Sequence, residues 1–363
     1  MKTETGTAPR DVFVFRIGHF GDTLVSLPAV HRIAELHPGA RLWLITNAPS
    51  ESTVSAWDVL RHTKKFAGVL FYQGRSPGRL ARIALRCRQA PGARLYYLTP
   101  MRSKMQFRRD QLFFRLFCGF RDISATERTI PSGTRGADGE LVVLPRECDR
   151  LLHTVDKAGH SPPPPYLSPP AAARDRAEHL LRALHGRPLI ALGPGSKMPA
   201  KKWFLDRYLE VCRRLKLADR DLGVVVFGGP EDRADGEALV DAVGRDRAIN
   251  LAGSTDVIES AAAMTHCSLY LGNDTGTMHL AAIMGLPCIA VFTSRDNRDT
   301  WVPWGDSHVI LRRDLACSGC MLVRCERERM RCLDLISVDD VWAALEPRLG
   351  GLSGRGSKLR VLP

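Results

Sequence analysis

The chain lacks any apolar run fit to span a membrane. Its longest uncharged stretch, Thr275–Ser294, contains Gly276, His279, Gly285 and Pro287, a mixture that reads as helix, turn and strand. An export signal is also missing, because MKTETGTAPR is polar and runs directly into an apolar strand pattern, so the expected location is the cytoplasm. Acidic residues are scarce: 52 Lys and Arg stand against 39 Asp and Glu, a net charge of +13, which implies a polyanionic partner. The chain nevertheless shows no winged-helix, finger or RNP-like pattern for reading nucleic acid. With 44% hydrophobic and 25% charged residues the composition is that of a globular protein and excludes collagen, coiled coil and wholesale disorder. A length of 363 residues exceeds what one core ordinarily fills, so two domains are expected.

What is present is an alternation of short apolar runs with helix-length segments. Asp11 to Ile17 (DVFVFRI) has the pattern of a buried strand, followed by Gly18-His19-Phe20-Gly21-Asp22 and a helical run from Thr23 to Leu36 that stops at Pro38-Gly39. Further strands are expected at Leu42 to Ile45, Val69 to Tyr72 and Leu95 to Leu98. Six prolines in SPPPPYLSPP, residues 161–170, interrupt the pattern and mark a linker. Beyond it come strands at Pro188 to Leu192, Gly223 to Phe227, Ala248 to Leu251, Ser268 to Leu271 and Cys288 to Phe292, with helices between them. The expected organisation is a domain over 1–160, the linker, a second domain over 171–349 and a mobile basic tail over 350–363. Both domains read as α/β, doubly wound on parallel sheets, with ligands at the carboxyl ends of the strands and a cleft where the two domains face each other.

Three loops at such strand ends carry chemistry. In LYLGNDTGTMHLAA, Asp274, Thr275, Gly276 and Thr277 lie where a strand gives way to a helix, so free backbone N–H groups and the positive end of the helix dipole form an anion site suited to a diphosphate. Asp274 or Thr275 equally suits a helix cap, and His279 a satisfied core histidine. Gly193-Pro194-Gly195-Ser196-Lys197 follows another strand and is succeeded by Lys201-Lys202-Trp203; it is not a P-loop, since G-x-x-x-x-G-K-[ST] is absent. A lysine there can neutralise charge on a departing phosphate. In the first domain Asp22, after Gly21, could accept a proton from an attacking hydroxyl or merely cap the helix, with His19 a rival base.

FRIGHFGDTLVSLPAV, GPGSKMPAKKW, FGGPEDR and GNDTGTMHLAAIMGLPCIAVF occur in the order and spacing of the heptosyltransferase-type glycosyltransferases, and the resemblance runs from Val12 to Leu345. It implies the GT-B architecture, with acceptor on the N-terminal side and nucleotide-sugar on the C-terminal side. By the same resemblance Asp22 is the general base of an inverting transfer, and Lys201 meets the diphosphate or donor sugar, with Lys202 the neighbouring possibility. Ser196 is then a phosphate contact, while Asp274, Thr275, Gly276, Thr277 and His279 hold the donor. Glu231 or Asp232 takes the ribose hydroxyls, and Gly21, Arg102, Lys104 and Arg108 lie on the acceptor side. The family's K-x-W-P reads Lys201-Lys202-Trp203-Phe204 here, without the proline. The implied donor is ADP-heptose and the implied acceptor a lipopolysaccharide inner-core precursor. Another nucleotide-sugar, a protein acceptor, a nucleotide-sugar epimerase or, remotely, a nucleic-acid binder are the alternatives. A lysine and a helix terminus can manage a diphosphate, so no catalytic cation is expected.

Two further features remain. Cys317, Cys320, Cys325 and Cys332 cluster among ten cysteines; in a reducing compartment they read either as a structural zinc or iron site or as plain thiols. Between Arg75 and Arg128, thirteen basic residues meet only Asp110, Asp122 and Glu127, a local +10. There Lys104 to Phe117 reads either as an ordinary packed helix or as a peripheral element on an anionic inner membrane.

Overall fold

The computed structural model describes residues 11–49, 54–74, 76–100, 103–126, 130–218, 221–326 and 329–350. The chain forms two compact units, one of Met1–Pro131 with Pro145–Ser168, the other of Ser132–Leu144 with Pro169–Pro363. The excursion 132–144, read from sequence as part of the first domain, thus belongs to the second unit. Its anchors are Asn297, whose Oδ1 accepts from Gly133 N (2.7 Å) and whose Nδ2 donates to Val142 O (2.7 Å), and Arg135, which donates to Ser318 O (2.7 Å). Side-chain bonds so distant in sequence have no local signature.

The first unit holds a five-stranded sheet of β1 (Asp11–Phe15), β2 (Arg41–Asn47), β3 (Phe66–Tyr72), β4 (Arg94–Tyr97) and β5 (Asp122–Ala125), in the order β3-β2-β1-β4-β5. Every pairing is parallel. Buried on both faces, β1 is apolar almost throughout, as central parallel strands are. Phe15 lies at its heart, within 5.2 Å of the rings of Tyr72 and Tyr97 and 4.9 Å of Phe114. Where one helix was expected from Thr23 to Leu36, two occur, Phe20–Leu24 and Leu27–Leu36. Pro28 explains the break: its ring would strike the carbonyl four residues earlier in a continuous helix, but is welcome in the first turn of a new one.

The second unit holds six parallel strands, β6 (Leu189–Gly193), β7 (Gly223–Val226), β8 (Ala248–Asn250), β9 (Cys267–Asn273), β10 (Cys288–Phe292) and β11 (Val309–Arg312), in the order β11-β10-β9-β6-β7-β8. Its core joins Ile190, Leu192, Val224, Val226, Leu269, Leu271, Ile289 and Val291 to Trp203 and Tyr208. The last helix, Val338–Gly350, starts as expected: Ser337 N donates to Asp340 Oδ2 (2.8 Å) and Asp340 N to Ser337 Oγ (3.0 Å). It runs past Leu345, where the sequence reading ends it, while 351–363 lie outside the described residues.

Both sheets are therefore the doubly wound, Rossmann-like type expected of GT-B. In each, the strand order reverses beside the first strand, between β1 and β4 and between β6 and β9, and ligands collect at the carboxyl ends of such strand pairs. The edge strands β5 and β11 escaped the sequence reading because they are short and half-buried, without a continuous apolar run. The proline-rich segment 161–170 is not slack chain: Tyr166 and Leu167 are buried, and the Tyr166 carbonyl lies 2.8 Å from His31 Nε2. Among the described residues no helix is long and apolar enough to cross a membrane.

Candidate functional site

In the second unit, the reversal point is held together by Asn273, the fully buried last residue of β9. Its Oδ1 accepts from Trp203 N (3.1 Å) and from the Tyr208 hydroxyl (2.9 Å), while its Nδ2 donates to Pro194 O (2.6 Å) and, more weakly, to Gly195 O (3.4 Å). One amide thus fixes the loop after β6, the lysine loop and the end of β9 relative to one another. Trp203 is buried in turn, and its indole N–H donates to Ile336 O (3.0 Å).

On this frame Lys201 meets Asp274. The ammonium lies 2.6 Å from Asp274 Oδ2 and 3.4 Å from Asp296 Oδ2, and Asp296 is paired again with Arg295 at 2.7 Å. All four side chains are largely buried, and two cations balance two carboxylates. That balance is what makes burial tolerable, since an unpaired ion at such a depth is expensive. Burial works against the Lys201 ammonium, but Asp274 and then Asp296 outweigh it and hold its pKa above the ordinary lysine value. Thr275, Gly276 and Thr277 are half-buried at the start of the helix Gly276–Ile283, whose first N–H groups have no intrahelical acceptor and are not capped by the Thr275 side chain. His279 is buried on that helix.

The neighbouring residues divide by role. Lys202 turns away to Asp235 (2.5 Å) and Asp232 (3.9 Å). Asp232 is buried, accepts from Gly229 N (3.0 Å) and packs so closely beneath Gly195 that a Cβ there would come within 2.0 Å of Asp232 Oδ2. Burial raises its pKa, opposed by the Gly229 N–H. Glu231, beside it, is exposed. Ser196 is half-buried and its hydroxyl accepts from Met198 N (3.2 Å).

In the first unit β1 leads through Arg16 and Ile17 to Gly18, whose φ of +141° suits glycine. A Cβ on Gly18 would lie 2.9 Å from Asp22 Oδ2 and 3.3 Å from an Arg16 guanidinium nitrogen, so the bare glycine separates the two charges. Asp22, half-buried in the helix Phe20–Leu24, accepts the His19 N–H on Oδ2 (2.9 Å); Oδ1 accepts no hydrogen bond among the described residues. Arg16 is fully buried, and burial pulls its pKa down to about 10 against the opposing pull of Asp22 and Glu147. Glu147 and Arg150 form a bidentate pair (2.6 and 2.9 Å), and Arg150 also donates to Thr99 O (2.7 Å) just beyond β4. His19 and Gly21 flank Asp22, the histidine exposed. Lys104 and Arg108 are exposed on the helix Lys104–Leu112, with no contact to the Asp22 loop among the described hydrogen bonds, and Arg102 lies outside the described residues.

Arg16, Glu147, Arg150, Arg295 and Asp296 were not singled out from sequence, and Asn273 was quoted there without a role. Position alone held a hint: Arg295-Asp296 follows β10 at the carboxyl end of the sheet. Glu147 and Arg150 offered nothing beyond a common i,i+3 helix pair.

The cysteine cluster does not assemble as a tetrahedral set. Cys317, Cys320 and Cys325 line one recess with Arg135, Ser318, Gly319 and Leu322. Cys332 packs against the core of the second unit, its Sγ 3.3 Å from Thr293 Oγ1, and Cys325 Sγ accepts from Met330 N (3.3 Å). Among the described residues no three His, Cys, Asp or Glu side chains converge as metal ligands. The reason is that Cys332 is placed by the short helix Arg331–Asp334, whose neighbour Leu333 is sunk in the core, while the other three ride an irregular loop. The remaining cysteines are buried apart from Cys267, which is half-buried.

The model of the family described as glycosyltransferase family 9 (heptosyltransferase) matches residues 137–330, more than half of the chain. The chain belongs to glycosyltransferase family 9. The family span takes in the Gly193–Lys197 loop, Lys201 and the Asp274–His279 motif; Asp22 precedes it. The chain is 30% identical over 156 residues to lipooligosaccharide heptosyltransferase 2 of Haemophilus influenzae, a match covering 41% of this chain and 44% of that relative, less than half its length. Among solved structures it is similar to a family 9 glycosyl transferase from Veillonella parvula, with a TM-score of 0.70 and 17% identity over 94% of this chain and 98% of the other. It is also similar to the ADP-heptose LPS heptosyltransferase II of E. coli, with a TM-score of 0.64 and 17% identity over 94% and 99%. At such identities the likeness concerns the fold, and family 9 membership rests on the sequence match.

Proposed function

We propose that the chain is an inverting glycosyltransferase that moves a heptose from ADP-heptose to a phosphorylated lipid-sugar acceptor of the lipopolysaccharide inner core, at the cytoplasmic face of the inner membrane. The observation that carries this reading is the buried Lys201–Asp274 pair beside the open N-terminus of the helix Gly276–Ile283. A lysine held by two carboxylates at a strand-order reversal is poised to exchange partners when a diphosphate arrives. The names of the relatives supply the sugar and the acceptor.

In the reaction the Asp22 carboxylate takes the proton of an acceptor hydroxyl. That oxygen attacks the anomeric carbon from the face opposite the diphosphate, the new C–O bond forms with inversion, and the old bond to the diphosphate oxygen breaks. ADP departs with the electron pair, its charge met by Lys201 and the N–H groups of Thr275, Gly276 and Thr277. Ser196 adds a hydroxyl to the phosphates, and Glu231, exposed where Asp232 is locked under the glycine loop, takes the ribose. His279 lines the same helix on the sugar side.

The test is calorimetry with ADP, UDP, GDP and CMP on the wild type, Lys201→Ala and Asp22→Asn. Selective ADP binding that is lost in Lys201→Ala and kept in Asp22→Asn supports the reading. Preference for UDP or GDP removes heptose as the sugar, and no binding at all removes the diphosphate site.

A further inference from the structure

From Ser76 to Arg121 the chain carries eleven basic residues and a single acid, Asp110. Asp110 is spent inside. It accepts from the hydroxyls of Tyr97 (2.8 Å) and Tyr72 (3.2 Å), is fully buried and pairs with Arg109 (3.0 Å). The helix Lys104–Leu112 and the turn Phe113–Phe117 that continues it sort their side chains by this axis. Phe107, Asp110 and Phe114, spaced three and four apart, face the core, where Phe107 meets the Tyr97 ring at 5.3 Å and Phe114 meets Phe15 at 4.9 Å. Phe113 also packs against that core, whereas four further apolar side chains are exposed: Met105 80%, Leu112 56%, Leu116 60% and Phe117 58%. Lys104, Arg108, Arg109 and Arg115 stand among them.

The surface extends onto the helix Pro77–Arg88. Leu85 there is 63% exposed, and Arg88, on the same side one turn later, donates to the carbonyls of Leu116 (2.9 Å) and Phe117 (2.7 Å), tying the two helix ends together. Isolated exposed leucines are ordinary; a group of five large apolar side chains set among cations, with no exposed carboxylate on either helix, is not.

We propose that this face is a docking surface for an anionic lipid bilayer, with Met105, Leu112, Leu116 and Phe117 entering the boundary between headgroups and acyl chains and Lys104, Arg108 and Arg115 on the lipid phosphates. A bilayer rewards both halves of the surface at once, apolar insertion and charge attraction. A second copy of the chain would bring like charges together. Nucleic acid would meet the cations but has little use for methionine and leucine in place of a stacking platform. The proposal deepens the placement at the inner membrane in the transferase reading and rests on it, but it does not depend on which nucleotide or sugar is used.

The experiment is co-sedimentation of the full chain with vesicles of phosphatidylethanolamine and phosphatidylglycerol, with vesicles of phosphatidylcholine alone as the neutral arm. Two variants accompany it, Leu112→Ser/Leu116→Ser/Phe117→Ser and Lys104→Gln/Arg108→Gln/Arg115→Gln. Their folding is checked by melting temperature rather than by nucleotide binding, so failure of the donor reading leaves this test intact. The expected result is binding to the anionic vesicles alone, reduced about tenfold or more in each variant. Three results overturn it: no binding by the wild type, wild-type binding by the serine variant, or duplex DNA held more tightly than the anionic vesicles.

Discussion

Lys201 and Asp274 lie 2.6 Å apart, with side chains 12% and 4% exposed, so their attraction is little screened by water and each depends on the other to remain charged. Lys201→Ala should therefore do two separable things. It leaves Asp274 and Asp296 without their cation and destabilises the fold by about 3 kcal/mol, the usual cost of breaking a buried pair. It also abolishes ADP binding. Adding Asp274→Asn should recover much of the stability in denaturant unfolding, but not the affinity in calorimetry.

The same pair makes a signed prediction for pH. Because the native pKa of Lys201 is raised, its stabilising contribution is complete below the ordinary lysine value of 10.5 and is lost as pH climbs through the higher native value. The unfolding free energy of the wild type should fall relative to Lys201→Met as pH rises above about 10.4. A constant difference across that alkaline range would contradict the pairing.

Asp22→Asn keeps an oxygen to accept the His19 N–H, so the cap should survive. Removing the base should lower kcat about a hundredfold to ten-thousandfold, with ADP affinity unchanged. A steady-state assay of sugar transfer together with ADP titration separates the two effects.

Gly18→Ala should be worse than its size suggests. The added methyl group meets Asp22 Oδ2 at 2.9 Å on a backbone that side chains avoid, so both stability, by about 1–3 kcal/mol, and kcat should drop. Comparison with Gly39→Ala, which has a positive φ but nothing within 4 Å, distinguishes contact from backbone strain.

Asn273→Asp is predicted to be more damaging than Asn273→Ala. The carboxylate would face the carbonyls of Pro194 and Gly195 where the amide now donates, whereas alanine leaves only unmet partners, each costing about 1–3 kcal/mol. Denaturant unfolding of the two variants gives the order.

Much of this protein is legible in local sequence. The apolar runs of β1, β6, β7, β9 and β10 announce two parallel sheets, because strands covered on both faces must be apolar on both. The glycine, proline and threonine residues that follow β6 and β9 mark loops where backbone approaches a ligand, and the family resemblance points to Asp22, Lys201 and the Asp274 motif. These signals are short-range consequences of backbone geometry and burial, and so they are written in consecutive residues. Tertiary structure decided the rest. It pairs Lys201 with Asp274 and Asp296, gathers three loops on the amide of Asn273, sets Arg16 under Gly18 beside Asp22, and assigns 132–144 to the second unit through Asn297 and Arg135. It also packs Cys332 on the core while Cys317, Cys320 and Cys325 line a recess, and leaves Met105, Leu112, Leu116 and Phe117 exposed beside the core that Phe107 and Phe114 fill. Each of these depends on which side chains meet across strands and loops far apart in the chain, and charge pairing and packing between such distant residues leave no periodic trace in the sequence that could foretell them.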